Sequence, residues 1–275
     1  MKRLLFIAVV YNTVKETRDL CQSLADQASG DFTIDCLLVD NSDVPAAMEE
    51  VDALPQAFAF VSVLRPEKNL GYFPAISEGL RSHARGYDFV IAGNNDLIYA
   101  PELAARLSVS DYAADVMVVC PEVVTRDGRH QNPHHKHRLT RLQRLYFDLY
   151  FSTYGVGRLV TWTKRVLTRS LNLEKALAPA DRGTPIAQAI DQGVGACYVF
   201  LPHFLESIDY QLFYSAFIYG EEAFLSWQVR DANGRMWYDP TLKVWHAESA
   251  TLSRMPSRKA YGFGRDAYWQ SRSLL

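Results

Sequence analysis

The 275-residue chain has only four cysteines, and no two of them form a C-x-x-C pair. Cys21, Cys36, Cys120 and Cys197 each sit among apolar neighbours. That pattern excludes a disulfide scaffold and a thiolate zinc site and suits reduced, buried thiols of a cytosolic protein. Long apolar runs are also missing, since none reaches the roughly 18 residues that span a bilayer. The opening "MKRLLFIAVVYN" has the basic start of an export signal. Its apolar part, 4–10, is short and no small-residue cleavage site follows, so a first buried strand is expected. Net charge is only −2, so no global field directs the chain to nucleic acid. No glycine-rich phosphate loop follows the first apolar run, which argues against a dinucleotide dehydrogenase or a nucleotidyltransferase. What remains is an ordinary globular composition, 48% hydrophobic and 22% charged, in a chain long enough for one large domain with a substantial core.

The first third alternates between strand and helix periods. Residues 4–10 are a continuous apolar run of buried-strand type. Thr13 and Glu16 have capping-box spacing, and Leu20, Cys21, Leu24, Ala25 and Ala28 fall on one face of a helix that Gly30 is expected to stop. Residues 34–43 read as a second strand with a polar end, 47–54 as a short helix and 58–64 as a third strand. A helix over 73–85, with Pro74 in its first turn, leads to a fourth strand at 87–92. This implies an α/β fold: a mostly parallel central sheet flanked by helices, in a single domain over 1–275. Open sheets of this kind bind ligands beyond the carboxyl ends of their strands. Asn12, Asp40, Asn41, Asp43, Asn69, Asn94, Asn95 and Asp96 all follow strands in that way.

Past residue 120 the alternation weakens, and the stretch 129–190 differs in kind. From 136 to 169 eight basic residues face one acid, Asp148, giving +7, while Leu142, Leu145, Tyr146, Leu149 and Tyr150 recur at helical spacing. A basic helical insertion of this type suits an anionic membrane surface, and equally a solvated insertion. The "HHKH" run at 134–137 reads as a basic loop.

Four motifs then line up in order: "VVYN" (9–12) with "LLVDNSD" (37–43), "NLGYFPAISEGL" (69–80), "GNNDLIY" (93–99), and "FIYGEEAFLSWQVRDANGRMWYDPTLKVWHAES" (217–249). Through them the chain resembles a family 2 glycosyltransferase of the GT-A fold, and most of all the rhamnosyltransferase-like branch that builds bacterial cell-surface polysaccharides. The resemblance covers 4–120 and 193–254 and leaves 129–190 uncovered. It implies a nucleotide-sugar-binding half, 1–120, and an acceptor-binding half, 121–275. It also implies inverting, metal-dependent transfer from a nucleotide-diphosphate sugar to a glycan or lipid-linked glycan. The setting would be cytoplasmic, peripheral at the inner face of the cell membrane through 136–169.

By the same resemblance the donor contacts Val10, Asn12, Asp40, Asn69, Gly71, Tyr72, Asn94 and Asn95. Asp40 would accept hydrogen bonds from the base or ribose. Gly71 would let backbone approach the ligand ahead of a helix N-terminus. Asp96 takes the DxD position as ligand to Mn²⁺ or Mg²⁺, cations that favour oxygen donors. Asn94 stands where many relatives carry an acid. His246 is the second expected metal or phosphate contact. Glu222 matches the general base of the family's Glu-Asp pair but is one methylene longer, which leaves Glu221 a competitor. Local structure offers alternatives: an Asx-turn for Asp40, a strand-end turn for Asp96, a helix-dipole role for the two glutamates. The amide at 94 and the second glutamate also leave room for a non-catalytic nucleotide-sugar or carbohydrate-binding module on the same scaffold.

Overall fold

Residues 4–10 carry no polar side chain, and the strand they form is covered on both faces. In strand β1 (Lys2–Val10), Leu4, Phe6, Ala8 and Val10 enter one core with Leu20, Cys21 and Leu24 of helix α1 (Val14–Ala25). Leu5, Ile7 and Val9 enter a second core with Phe73, Ile76 and Leu80 of α4 (Tyr72–His83). Alternate residues thus bury on opposite faces, as period-2 geometry requires. The structure is a computed structural model that describes residues 1–170, 185–216, 218–247 and 257–275.

Strand β1 lies between β2 (Phe32–Asp40) and β4 (Phe89–Asn94), and β3 (Val61–Leu64) edges β2; all four run parallel. Helices α2 (Pro45–Asp52) and α3 (Leu54–Ala57) link β2 to β3. After β5 (Leu97–Tyr99) and α5 (Leu103–Ser108), strand β6 (Val116–Thr125) leads into the second half. The sheet order is β3-β2-β1-β4-β8-β6-β9-β5, with β7 (Gln188–Ile190) also on β9 (Arg235–His246). Strand β8 (Cys197–Phe200) is antiparallel to both β4 and β6, while β6 and β9 are parallel. The expected mostly parallel sheet therefore holds in two blocks, β3-β2-β1-β4 and β6-β9, joined by antiparallel β8, while β5 and β7 also run antiparallel to β9. The chain enters β8 alongside the carboxyl end of β4, so it must run the opposite way.

Local expectations shift at two places. Helix α1 ends at Ala25, short of Gly30, with the Asp26 amide donating to the Gln22 carbonyl. No capping box forms at Thr13, because its hydroxyl accepts the Asn95 amide at 2.6 Å instead. A reciprocal capping box does form between Thr140 and Gln143, starting α6 (Arg141–Tyr150).

The basic insertion is helical, as expected, over α6 and α7 (Tyr154–Ser170). Leu142, Leu145 and Leu149 of α6 are exposed, while Phe147, Tyr150 and the following Phe151 pack against Tyr261 and Tyr268 of α10 (Ser257–Ser271). Residues 171–184 of the insertion lie outside the described residues, as do Phe217, Glu248 and Ser249 of the fourth motif. Short α8 (Pro202–Ser207) and α9 (Glu221–Asp231) complete the second half. All four cysteines are free and buried. No described helix is long and apolar enough to cross a membrane.

Candidate active site

Parallel register sets Val10 opposite Asp40 and Val9 opposite Asn94, so β1, β2 and β4 finish at one level. Their loops are stitched together by side chains. Asn12, at φ 55°, donates its amide to Asp43 Oδ1 (2.7 Å), and its carbonyl oxygen accepts the Val44 amide (3.2 Å). The Tyr11 hydroxyl donates to Asp43 Oδ2 at 3.0 Å, and the bonds from Asn12 and Tyr11 hold the Asp43 carboxyl below its ordinary range. The Val10 carbonyl accepts the Asn41 amide at 2.9 Å.

Asp40 is buried, and its carboxylate meets Arg65 through Nη2 (2.7 Å) and Nε (3.1 Å). Arg65 also grips Asp52 with both terminal nitrogens, at 2.9 and 3.0 Å. The Asn41 side chain spans to the next loop, donating to the Gly71 carbonyl (2.9 Å) and accepting from Leu70 (3.2 Å). Asn69 accepts the Gly71 amide at 2.8 Å, and Gly71 holds φ 84° at the start of α4, where a side chain would be strained.

The "GNND" turn divides its three polar residues. Asn95 points back into α1, donating to the hydroxyls of Thr13 (2.6 Å) and Thr17 (2.7 Å). Asn94 and Asp96 face His246, which antiparallel β5–β9 pairing sets opposite Leu97. His246 Nε2 lies 3.1 Å from Asn94 Nδ2 and 3.3 Å from Asp96 Oδ1. On the ring's other side, Nδ1 lies 2.8 Å from Gln131 Oε1. That carbonyl oxygen accepts, so Nδ1 carries the proton and in the neutral ring the lone pair sits on Nε2. With the lone pair on Nε2, the Asn94 amide donates to it, and Nε2 and Asp96 Oδ1 lie side by side as a nitrogen and an oxygen ligand for one cation. The pair therefore fits a divalent cation with open positions for water and phosphate, of the sort Mn²⁺ and Mg²⁺ keep. Among the described residues no group of three or more His, Cys, Asp or Glu side chains completes the shell.

One backbone segment joins this point to the acidic pair. The Asn94 amide donates to the Ala196 carbonyl at 3.0 Å, and the Gly195 amide donates to Glu222 Oε1 at 3.2 Å. The approach is close: a Cβ on Gly93 would lie 2.2 Å from the Ala196 oxygen, and one on Gly195 would lie 2.6 Å from Glu221 Oε1. The Tyr72 hydroxyl donates to the Gly195 carbonyl at 2.6 Å. Burial raises its pKa well above the ordinary value, and the charges of Glu221, Glu222 and Asp96 add to that. Burial, then repulsion from Glu222, pushes Glu221 up to about 8. Glu222 lines an open cleft beside α10.

Of the residues expected from sequence, Asn94, Asp96 and His246 converge, and Tyr72, Glu221 and Glu222 converge around Gly195. Asn12 shapes the loop after β1, and Asn69 and Gly71 shape the loop after β3. Asn41, one of the strand-end residues expected from sequence, links the loop after β2 to the one after β3. Arg65, Gln131 and Gly195 carry no local signal in the sequence.

A domain of this topology is a GT-A fold, and solved structures share it. GalNAc-T7 with UDP, GalNAc and Mn²⁺ aligns at TM-score 0.59 and 15% identity, over 93% of this chain and 45% of that one. TarS 1-349 from S. aureus aligns at 0.54 and 14%, over 90% and 60%. The mannosyltransferase PcManGT from Pyrobaculum calidifontis, with GDP-Man and Mn²⁺, aligns at 0.56 and 13%, over 99% and 72%. The chain thus spans less than two thirds of the first two. No protein of curated function matches the sequence. The model for glycosyl transferase family 2 matches residues 6–174, more than half of the chain, and the chain belongs to that family. The matched span ends before the acidic pair.

Proposed function

We propose that the protein is an inverting, metal-dependent glycosyltransferase of the rhamnosyltransferase-like branch, acting in cell-surface polysaccharide synthesis. It would move a hexosyl or deoxyhexosyl group from a nucleotide-diphosphate sugar to a glycan or lipid-linked glycan. One observation carries this reading: the backbone amide of Asn94, whose side chain faces the Asp96–His246 pair, and the Glu222 carboxylate bond adjacent residues, 196 and 195, of one backbone segment. The donor lies over the strand ends at 9–12, 40–43, 69–72 and 94–96, and residues 121–275 shape the acceptor side. Asp96 and His246 would hold Mn²⁺ or Mg²⁺, which supplies positive charge against the diphosphate leaving group. UDP, GDP-Man and Mn²⁺ in the similar structures support the donor class and the metal.

Glu222 takes the acceptor proton as the acceptor oxygen bonds to the anomeric carbon; the bond from that carbon to diphosphate breaks and its electron pair leaves with the diphosphate. Of the two glutamates, Glu222 is the one that lines the open cleft. The test is a nucleotide-sugar screen with Mn²⁺ on wild type, Glu222→Gln and Asp96→Asn. Turnover lost in Glu222→Gln with nucleotide binding kept supports the reading. Tight binding without turnover in wild type would identify a non-catalytic module.

The setting we propose is the inner face of the cell membrane. The exposed Leu142, Leu145, Leu149, Leu159 and Trp162 of the basic insertion support it. Flotation with anionic liposomes checks this. Equal recovery of wild type and a Leu142→Ser/Leu145→Ser/Leu149→Ser variant would refute it.

A further inference from the structure

Between α6, α10 and the start of α9 lies a cleft of about 590 Å³, within the roughly 300–1,000 Å³ of small-molecule sites. Its ends differ in chemistry. One holds Glu222, Gln192, His134 and His135, drawn together where His135 bridges to Gln192. The other is walled by Phe147, Tyr150, Phe151, Tyr261, Tyr268 and Leu275.

The phenols Tyr261 and Tyr268 use their hydroxyls elsewhere. Tyr261 donates to the Tyr150 carbonyl at 2.8 Å, and Tyr268 bonds Asp148 Oδ1 at 2.7 Å and the Arg144 carbonyl at 3.1 Å. Their rings are held by neighbours, with Phe151 and Tyr268 stacked at 5.0 Å and Tyr150 and Tyr261 edge-on at 5.7 Å. A polar ligand would lose its water along this wall and gain few hydrogen bonds, whereas an apolar chain would not. Ala260, Gly264 and Ala267 leave the α10 side without bulk. The outer face of α6 carries the exposed Leu142, Leu145 and Leu149, so one helix presents apolar surface both to solvent and to the cleft.

We propose that this cleft takes an amphiphilic acceptor, with its attacking hydroxyl at Glu222 and an aliphatic chain along α6 and α10. The proposal rests on the glycosyltransferase reading, which makes Glu222 the base, and adds that the protein itself holds part of the acceptor's apolar chain. The proton and bond changes are those already given for Glu222.

The test uses the full chain and a dansyl-labelled undecanol, whose emission rises in apolar surroundings, with decyl and methyl β-glucoside as competitors. Gly264→Leu is the main variant. A Cβ there meets only Phe151, at 3.5 and 3.8 Å, an ordinary contact, so the larger side chain fits its backbone and fills the cleft. Ala260→Leu is the second variant. Wild type is expected to bind the probe and to release it to decyl glucoside but not to methyl glucoside. Both variants should bind it at least tenfold more weakly, with unchanged melting temperature and unchanged affinity for UDP or GDP with Mn²⁺. Failure of wild type to bind the probe, equal binding by the variants, or equal competition by the methyl glycoside overturns the proposal. Loss of nucleotide binding in wild type would sink the glycosyltransferase reading instead, a result read separately from the probe.

Discussion

Replacing Arg65 by Met keeps the aliphatic stem and removes the charge that faces Asp40. The Asp40 side chain is 0% exposed, and without the guanidinium its Oδ2 loses both of its arginine bonds. Only the Ser42 amide, at 3.0 Å from Oδ1, would remain among its recorded partners. Stranding one member of a buried pair costs about 3–5 kcal/mol. Arg65 is itself 28% exposed, so water can partly replace it and the lower end, about 3 kcal/mol, is expected. In a chain of this size that lowers the melting temperature by roughly 6–12 °C. Asp40→Asn should cost less, about 1–2 kcal/mol, because no buried charge is left and Arg65 keeps Asp52. The double variant should then recover about 2 kcal/mol relative to the sum of the singles, the coupling expected for residues in contact. Urea unfolding followed by tryptophan fluorescence reads all four corners of the cycle. A loss below about 1 kcal/mol for Arg65→Met, with no coupling, would show that solvent screens the pair and that Asp40 is held by something else. If Asp40 contacts the nucleotide, Asp40→Asn should also weaken UDP or GDP binding more than its lost stability explains.

Further outcomes follow from the same geometry. Gly93→Ala should destabilise by about 1–3 kcal/mol in thermal unfolding, because its Cβ would meet a backbone oxygen at 2.2 Å that cannot swing aside; a neutral result would mean β4 and residue 196 are not in close contact. Gln131→Leu removes the acceptor that fixes the His246 ring and should weaken Mn²⁺ affinity about 10–100-fold by calorimetry. Unchanged affinity would remove His246 from the metal site. Glu221 holds a proton in the fold that the unfolded chain releases, since its pKa rises from 4.5 to about 8. Wild-type stability should therefore be highest relative to Glu221→Gln below pH 4.5, fall as pH climbs through that window, and level off above 8. The relative loss is on the order of 3 kcal/mol at about 1.4 kcal/mol per pKa unit, reduced for coupling to Glu222. Parallel pH profiles of the two proteins would refute the raised pKa.

What the sequence made legible was what local patterns encode. The apolar run at 4–10 is readable because a strand buried on both faces needs no polar residue at all. The polar strand ends at 40–43 and 93–96 could be read as one ligand-binding rim because parallel register brings carboxyl ends to one level. The partners of those residues were not legible. Asn95 and Asp96 are neighbours of similar chemistry, yet Asn95 turns to Thr13 and Thr17 while Asp96 turns to His246. A turn sends successive side chains in different directions, and nothing local says which one meets α1. Gln131 is 115 residues from His246, and Arg65 is 25 from Asp40. Such pairings come from strand order, Arg65 following β3 beside β2 and Gln131 following β6 beside β9, with β8 antiparallel between β4 and β6. That same strand explains the site. Because β8 begins just after Gly195 and Ala196, the two residues leading into it hold the Asn94 end of β4 through one peptide group and Glu222 through the other. The spacing between the Asp96–His246 pair and Glu222 is then a property of a short backbone segment with no side-chain bulk at 195, and so it is set by the sheet rather than by the loops around it.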